Sequence, residues 1–373
     1  MGKAYKIILY SYLGAIWGRL RVSSKPKITR KTVLFPIVGL VAFFLYIYLF
    51  NVDIPEIIST AQRADPIFYL AAIFFSLVEV LFFAVSWRTL LNFLSVKLSV
   101  FRSYLFVWYG IFVDIVIPAE SISGEVCRVY LVNREQEGCS GKVVASLFMH
   151  RLLGMGLNVA FLILGAGLLF GEAAVNGLVL NLILFITFAI TVILVLLILL
   201  SFRENWSLRV INGVIRLGEF LTRGRWKLAS LRQEALDAAK MFHSGMKEFK
   251  QSPKTLGISL FFLLLNWFFS MSVSYMVFLS LRLPVSWSVI LITGAIVVAV
   301  KSIPVGIPFE VGLPEITMTT LYVGLGIPAS ISATATILSR LITLWLRFFI
   351  GFGAQQWLEL KPSLKPPKNS ISG

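Results

Sequence analysis

The stretch "VIPAESISGEVCRVYLV" (residues 116–132) places proline and carboxylates in a chain otherwise dominated by Leu, Ile, Phe and Val. A second stretch, "GIPFEVGLPEITMTTLYV" (residues 306–323), repeats its pattern far along the chain. The matched positions are Ile117 and Ile307, Pro118 and Pro308, Glu120 and Glu310, and Glu125 and Glu315. This repetition indicates that the protein consists of two related halves.

The composition indicates a polytopic membrane protein. Of the 373 residues, 58% are hydrophobic, and the mean hydropathy is +0.86. Several apolar runs approach the roughly 20 residues that span a bilayer. The net charge of +16 favours basic cytoplasmic loops near anionic lipid over nucleic-acid binding, because no nucleic-acid-binding motif accompanies it. Two cysteines and two histidines indicate neither a disulfide framework nor a metal site.

Charge asymmetry predicts which apolar runs cross the membrane. The runs lie at about 33–50, 67–87, 104–118, 143–170, 177–202, 256–281, 286–303 and 330–354. Lys and Arg concentrate in segments 1–32, 88–102, 119–142, 203–255 and 355–373, which we expect on the cytoplasmic side with both termini. Basic residues are rare in three other segments, 51–66, 171–176 and 282–285, whose only Lys or Arg residues are Arg63 and Arg282. We expect these three segments on the external side of the membrane.

This assignment leaves the third and seventh runs with both flanks on one side of the membrane. We therefore predict an all-α protein with about six full transmembrane helices and two re-entrant helical hairpins. The order span, span, hairpin, span occurs twice with opposite orientation, which is a pattern of inverted-repeat transporters. The Ile-Pro phrases are then the turning points of the hairpins.

The predicted organisation is a single transmembrane domain with basic flanks. Residues 1–32 form a basic interfacial segment, residues 33–354 the domain, and residues 355–373 a basic flexible tail. The two repeats cover about 33–170 and about 177–354, and a cytoplasmic amphipathic loop covers 203–255.

Ionisable residues inside apolar runs are the functional candidates, because a charge in the bilayer is costly and normally faces a cavity or a partner. One interpretation is that Glu125 pairs with Arg151, and Glu315 with Arg340, as structural ion pairs. The other is that the arginines receive an anionic lipid headgroup, since guanidinium binds phosphate bidentately. The two interpretations are compatible if the headgroup exchanges partners with the carboxylates.

Further polar residues extend the predicted headgroup site. Asn158 lies seven residues after Arg151, and Arg347 seven after Arg340, so each shares a helix face with the earlier arginine. Glu120 and Glu310 are expected at the hairpin mouths. For Glu79 and Lys301, a role in a packing network is as consistent with the sequence as a role in transport. The candidate headgroup-binding residues are Asp114, Glu120, Glu125, Arg128, Arg151, Asn158, Glu310, Glu315, Arg340 and Arg347. We predict no catalytic residue, metal ligand or cofactor.

At these residues the chain resembles the lysylphosphatidylglycerol synthase transmembrane-region family, the flippase-like integral membrane proteins of the UPF0104 type. The resemblance rests on "IPAESISGEVCR" with Gly124, Glu125 and Arg128, on "IPFEVGLPE", and on the later Arg151-Leu152 and Arg340-Leu341 pairs. It covers about residues 30–355. Departures are Asp114 where Asn is common, Phe309-Glu310 in place of two glycines, and Pro314.

The resemblance implies translocation of a lipid. Bifunctional members of the family add a soluble aminoacyl-transfer domain, which we expect to be absent because the chain ends in "KPSLKPPKNSISG". The favoured function is movement of an anionic or modified lipid, such as an aminoacylated lipid or a polyprenyl phosphate, between leaflets of the cell membrane. One alternative is an intramembrane transferase acting on a polyprenyl phosphate, with Asp114, Glu120 and Glu125 as base or metal ligands. Another is a scaffold subunit that binds a partner through loop 203–255.

Overall fold

The computed structural model describes residues 54–117, 122–136, 138–170, 177–202, 209, 243–301 and 312–360. Within these ranges every regular element is helical, as the sequence predicts. The predicted segment 1–32, the first apolar run and the turning points of both Ile-Pro phrases lie outside them. The predicted loop 203–255 is described only at 209 and from 243 onward, where residues 243–250 are helical.

Most of the helices coincide with the predicted apolar runs. In chain order they are α1 (Ile54–Gln62), α2 (Pro66–Phe93), α3 (Val100–Val116), α4 (Ile122–Glu135), α5 (Ser140–Phe170), α6 (Gly177–Phe202), α7 (Pro253–Ser280), α8 (Trp287–Lys301), α9 (Leu313–Gly324), α10 (Ala329–Arg340), a π-helix (Leu341–Leu346) and α11 (Arg347–Leu360). Helices α1, α4 and α9 lie between the predicted runs. The last helix continues to Leu360, into the segment predicted as a flexible tail.

Among the described residues, four helical segments are long and apolar enough to cross a membrane: α2, α5, α7 and the continuous helix from α10 to α11. Shorter apolar stretches occur at Ile183–Leu199 in α6 and in α8. Large side chains such as Ile67 and Phe185 are exposed on the surface of the fold, as lipid-facing residues would be. The structure is therefore that of a multi-pass helical membrane protein.

Helices α2 and α7 are matched in length and in position. Each has 28 residues and begins with proline, at Pro66 and Pro253, 187 positions apart. Proline suits the first helical position, where its missing N–H has no intrahelical partner. Ser95 and Arg282, also 187 apart, follow these helices in left-handed backbone conformations, with φ of 65° and 59°. The same spacing relates Val100, where α3 begins, to the start of α8.

The packing of α2 on α7 is reciprocal. Phe262 and Phe269 stand 187 positions after Phe75 and Phe82. The ring centroids of Phe75 and Phe269 are 5.3 Å apart, and those of Phe82 and Phe262 are 6.2 Å apart. Replacing each residue of the first contact by its counterpart 187 positions away gives the second contact. Antiparallel helices related by a two-fold axis perpendicular to both produce contacts of this kind.

The α3–α4 pair starts and finishes at one end of the fold. The Gln136 amide donates to the carbonyl of Lys97 at 2.6 Å, which joins the residue after α4 to the connection before α3. The two helices approach closely at glycines, because a Cβ at Gly124 would meet the carbonyl of Gly110 and the carboxylate of Asp114. At 1.5 Å per residue, α3 with its 17 residues is about 25 Å long. That length is less than the roughly 30 Å of a hydrocarbon core.

Two further close approaches join a long helix to a short helix from a distant part of the chain. In α5, a Cβ at Gly165 would press on Ile292 of α8. In α11, a Cβ at Gly351 would press on the Trp108 carbonyl and on Phe112 of α3. Small residues allow helix backbones to approach in this way. Each short helix, α8 or α3, is thereby packed against a long helix that lies far from it in the sequence.

Candidate functional site

The first predicted ion pair joins α4 to α5. Arg151 Nε lies 3.2 Å from Glu125 Oε1, and the two side chains remain 35% and 23% exposed. Glu125 is in the first turn of α4, where a negative charge is favoured by the helix dipole. A partly exposed ion pair contributes only about 0–1 kcal/mol to stability where its open side is hydrated, as in a polar cleft. This pair can therefore open at little cost.

Asp114 holds the beginning of α4. Its Oδ1 accepts hydrogen bonds from the Ser123 hydroxyl at 2.7 Å and from the Gly124 N–H at 2.6 Å. Those donors belong to the first turn of α4, whose N–H groups lack intrahelical acceptors. The residue predicted as part of a headgroup site thus acts in the structure as the cap that positions Glu125.

The second predicted ion pair joins α9 to α10 and is enclosed. Arg340 Nε lies 2.6 Å from Glu315 Oε1, and the side chains are only 7% and 6% exposed. The other oxygen, Oε2, accepts from the Gly312 N–H at 2.7 Å and so caps α9. Removing one partner of a buried pair typically costs about 3–5 kcal/mol. The two equivalent pairs therefore differ strongly in how easily they can separate.

A third ion pair involves Arg347 and was not predicted. Its Nη2 lies 2.5 Å from Glu79 Oε2, and its Nε and Nη2 each donate to the Ser76 hydroxyl at 3.3 Å. The wider turn of the π-helix lies between Arg340 and Arg347, so the two arginines contact different helices instead of forming one stripe. The Asn266 amide donates to the Glu79 carbonyl at 3.1 Å.

The recurrence at 187 residues singles out the position of Glu79, although it does not identify Arg347 as the partner. Asn266 stands 187 positions after Glu79, so the two occupy equivalent places at the centre of the α2–α7 contact. Asn158 is the first-half counterpart of Arg347. It is buried, and its Oδ1 accepts no hydrogen bond from the described part of the chain.

Arg128 is a buried cation that lies beside two aromatic rings. It is 6% exposed, and its guanidinium carbon lies 5.5 Å from the ring centre of Phe83 and 5.4 Å from that of Trp87. Its Nε donates to the Gly124 carbonyl at 3.4 Å, whereas Nη1 meets no acceptor among the described residues. A buried donor without an acceptor costs about 1–3 kcal/mol. His150 packs edge-on against Phe83, with ring centroids 4.5 Å apart, and its buried Nε2 also meets no hydrogen-bond partner among the described residues.

The predicted site residues thus divide into three groups. Glu125, Arg128 and Asp114 gather around the start of α4, with Arg151 reaching them from α5. The second-half pair and the Arg347 pair lie elsewhere, with other partners. Glu120 and Glu310 fall outside the described residues. No cluster of His, Cys, Asp and Glu suited to a metal ion occurs in the described ranges.

The fold and these buried charges define the class: a polytopic helical membrane protein whose ionisable residues are gathered inside the fold. A family model described as "Lysylphosphatidylglycerol synthase TM region" matches residues 36–351. The chain belongs to that family, as its motifs predict.

Two archaeal relatives resemble the chain over most of its length. An "UPF0104 membrane protein" of Pyrococcus horikoshii is 25% identical over 309 residues, which cover 82% of this chain and 91% of the relative. A second protein of that designation, from Methanocaldococcus jannaschii, is 23% identical over 337 residues, covering 88% and 95%. The similarity therefore includes both halves of the fold.

Proposed function

We propose that this protein moves a lipid with an anionic or modified headgroup between the leaflets of the cell membrane. The unequal exposure of two equivalent ion pairs carries this proposal. Arg151 is 35% exposed in its pair, and Arg340 is 7% exposed in its own. An alternating-access transporter opens its polar site to one side of the membrane at a time. The partly exposed Arg151 pair supports such an opening in the first half, and the enclosed Arg340 pair is its closed counterpart in position but not in function.

The proposed arrangement in the membrane has six crossings and two re-entrant pairs, α3–α4 and α8–α9, with both chain termini in the cytoplasm. The reciprocal contacts of α2 and α7 support opposite orientations of the two halves. The short length of α3 and the closeness of Gln136 to Lys97 support re-entry of the first pair. In this arrangement the site near α4 lies at membrane depth.

The chemistry of the site suits a phosphate-bearing lipid. A headgroup that crosses hydrocarbon unaided loses its hydration, and an ionised group meets a large free-energy barrier when it does so. Fixed charges along a polar cleft lower that barrier by replacing water, while the acyl chains stay in lipid. The planar guanidinium of Arg151 can bind two oxygens of one phosphate.

The test is leaflet exchange of fluorescent phosphatidylglycerol, a lysylated lipid or a polyprenyl phosphate in proteoliposomes. We expect the protein to accelerate exchange of at least one of these lipids over protein-free vesicles. Arg151→Lys keeps the charge but loses the bidentate fork, so it should slow exchange while the protein stays folded.

Lys250→Met is the matched control, because it removes a positive charge from an exposed position on the helical stretch 243–250. It should exchange lipid at the wild-type rate. If none of the three lipids moves faster than in empty vesicles, or if Arg151→Met transports normally, the proposed function is wrong.

A further inference from the structure

Nη1 of Arg128, which meets no acceptor among the described residues, belongs to a side chain one helical turn from a carboxylate that is engaged elsewhere. Glu125 and Arg128 are three residues apart on α4, a spacing that makes side chains neighbours on a helix surface. Asp114 is the other carboxylate at the start of α4, where it accepts from the Gly124 N–H. Asp114 is occupied with the cap of α4, whereas Glu125 is held by the half-exposed Arg151. Glu125 therefore lies between two arginines and is bonded to only one of them.

We propose that Glu125 passes from Arg151 to Arg128 when an anionic headgroup binds Arg151. Arg128 is then a positioning residue, which frees the binding arginine by accepting its carboxylate. This inference rests on the proposed function and names how the same site opens. A phosphate oxygen replaces Glu125 on the Arg151 Nε, and Glu125 becomes an acceptor for Arg128 Nη1, which meets none in the described part of the chain.

The aromatic walls explain how Arg128 can wait without its carboxylate. The rings of Phe83 and Trp87 both lie within cation–π distance of the guanidinium, and such contacts strengthen when water is excluded. Ser270 and Ser274 stand at the corresponding positions 187 residues later, so this aromatic support belongs to the first half.

The second half lacks the receiving arginine. Three residues after Glu315, where Arg128 follows Glu125 in the first half, stands the buried Met318. Glu315 also caps α9 through Gly312, so its release would uncap that helix. The exchange therefore assigns headgroup contact to Arg151 alone, and Arg340 stays as a fixed anchor in its ion pair with Glu315. The sequence predicted headgroup contact for both arginines.

A double-mutant cycle on the purified full-length protein tests the exchange. Isothermal titration with dihexanoyl-phosphatidylglycerol measures affinity. Dihexanoyl-phosphatidylcholine is the zwitterionic control ligand, and Arg151→Met protein is the negative control for binding at the headgroup site. Arg128→Met, which copies the second half, should weaken binding by roughly tenfold, because Glu125 then has no second partner. Glu125→Gln should strengthen binding, since Arg151 is permanently released.

The decisive readout is the combination of both changes. In the Glu125→Gln background, Arg128→Met should alter affinity by less than about twofold, because there is no carboxylate left to transfer. An Arg128 that serves only to hold the fold would weaken binding by the same factor in both backgrounds, and that additive result would overturn the exchange. Arg128→Lys, which keeps the positive charge, should retain more affinity than Arg128→Met and serves if the latter misfolds. Met318→Leu is the matched control and should bind like wild type.

The two proposals fail in different ways. If wild type and Arg151→Met bind phosphatidylglycerol equally, the proposed headgroup site is wrong and the exchange fails with it. If binding depends on Arg151 but the cycle is additive, only the exchange is wrong. Inorganic phosphate that binds with the same Arg128 dependence, while the lipid does not bind, would support the exchange and overturn the lipid as its ligand.

Discussion

Removing Arg340 should destabilise the protein far more than removing Arg151, although the two residues occupy equivalent places in the sequence repeat. Arg340→Met leaves Glu315 charged and buried without its partner. In the wild type the two side chains are 2.6 Å apart and only 7% and 6% exposed. The expected loss is about 3–5 kcal/mol of the free energy of unfolding. Arg151→Met breaks a pair whose side chains are 35% and 23% exposed, and we expect a loss of about 0–1 kcal/mol.

The assay is unfolding of the purified variants by SDS in mixed micelles, followed by tryptophan fluorescence. Adding Glu315→Gln to Arg340→Met should recover much of the loss, because the buried charge disappears. The glutamine side-chain oxygen can still accept from the Gly312 N–H, as Glu315 does now at 2.7 Å. Glu125→Gln with Arg151→Met provides the same double change in the first half, where there is little to recover.

Equal losses for the two single arginine variants would refute this reasoning, because burial would then not govern the strength of the pairs. A double variant in the second half that is as unstable as Arg340→Met alone would show that the arginine stabilises the fold through contacts other than the one with Glu315. Either result would also remove the basis for treating the second pair as a fixed anchor.

Three further predictions use matched positions in the chain. Gly124→Ala should be strongly destabilising, because its Cβ would meet backbone and a carboxylate, whereas Gly154→Ala, with open space around its Cβ, should stabilise α5 by about 0.5–1 kcal/mol; SDS unfolding compares them. In a cysteine-free protein, single cysteines at Ser95 and Glu135 should be labelled from the same side of the membrane and one at Arg282 from the other, and labelling of Ser95 and Glu135 from opposite sides would refute re-entry of α3–α4. Ser95→Gly and Arg282→Gly should each raise the midpoint of unfolding slightly, since a left-handed conformation costs a non-glycine residue about 1–2 kcal/mol; a decrease at both positions would contradict a strained turn.

Local pattern predicted the long apolar helices and, as one of two interpretations, two ion pairs. Apolar runs of 20 or so residues specify helices in a membrane because every backbone polar group must be bonded within its own segment. The pairing of Glu125 with Arg151 followed from repeated spacing, since a charge buried in each half needs a partner. The Pro66 and Pro253 recurrence was equally visible in the sequence, and it would have pointed to Glu79 as well.

The tertiary structure alone decided how these charges differ. Exposure of Arg151 and enclosure of Arg340 depend on which helices cover each pair, and sequence spacing carries no information about that cover. The π-helix directs Arg347 to Glu79 through a change in helical turn that a seven-residue spacing does not reveal. Arg128 looked like one more headgroup ligand, and only the placement of Phe83 and Trp87 around it showed a buried cation whose Nη1 meets no acceptor in the described part of the chain. The sequence by itself determined which residues are charged within the apolar runs and how they repeat. Their solvation and their choice of partner were set by contacts between distant segments, because electrostatic strength depends on the surroundings of a charge more than on its identity.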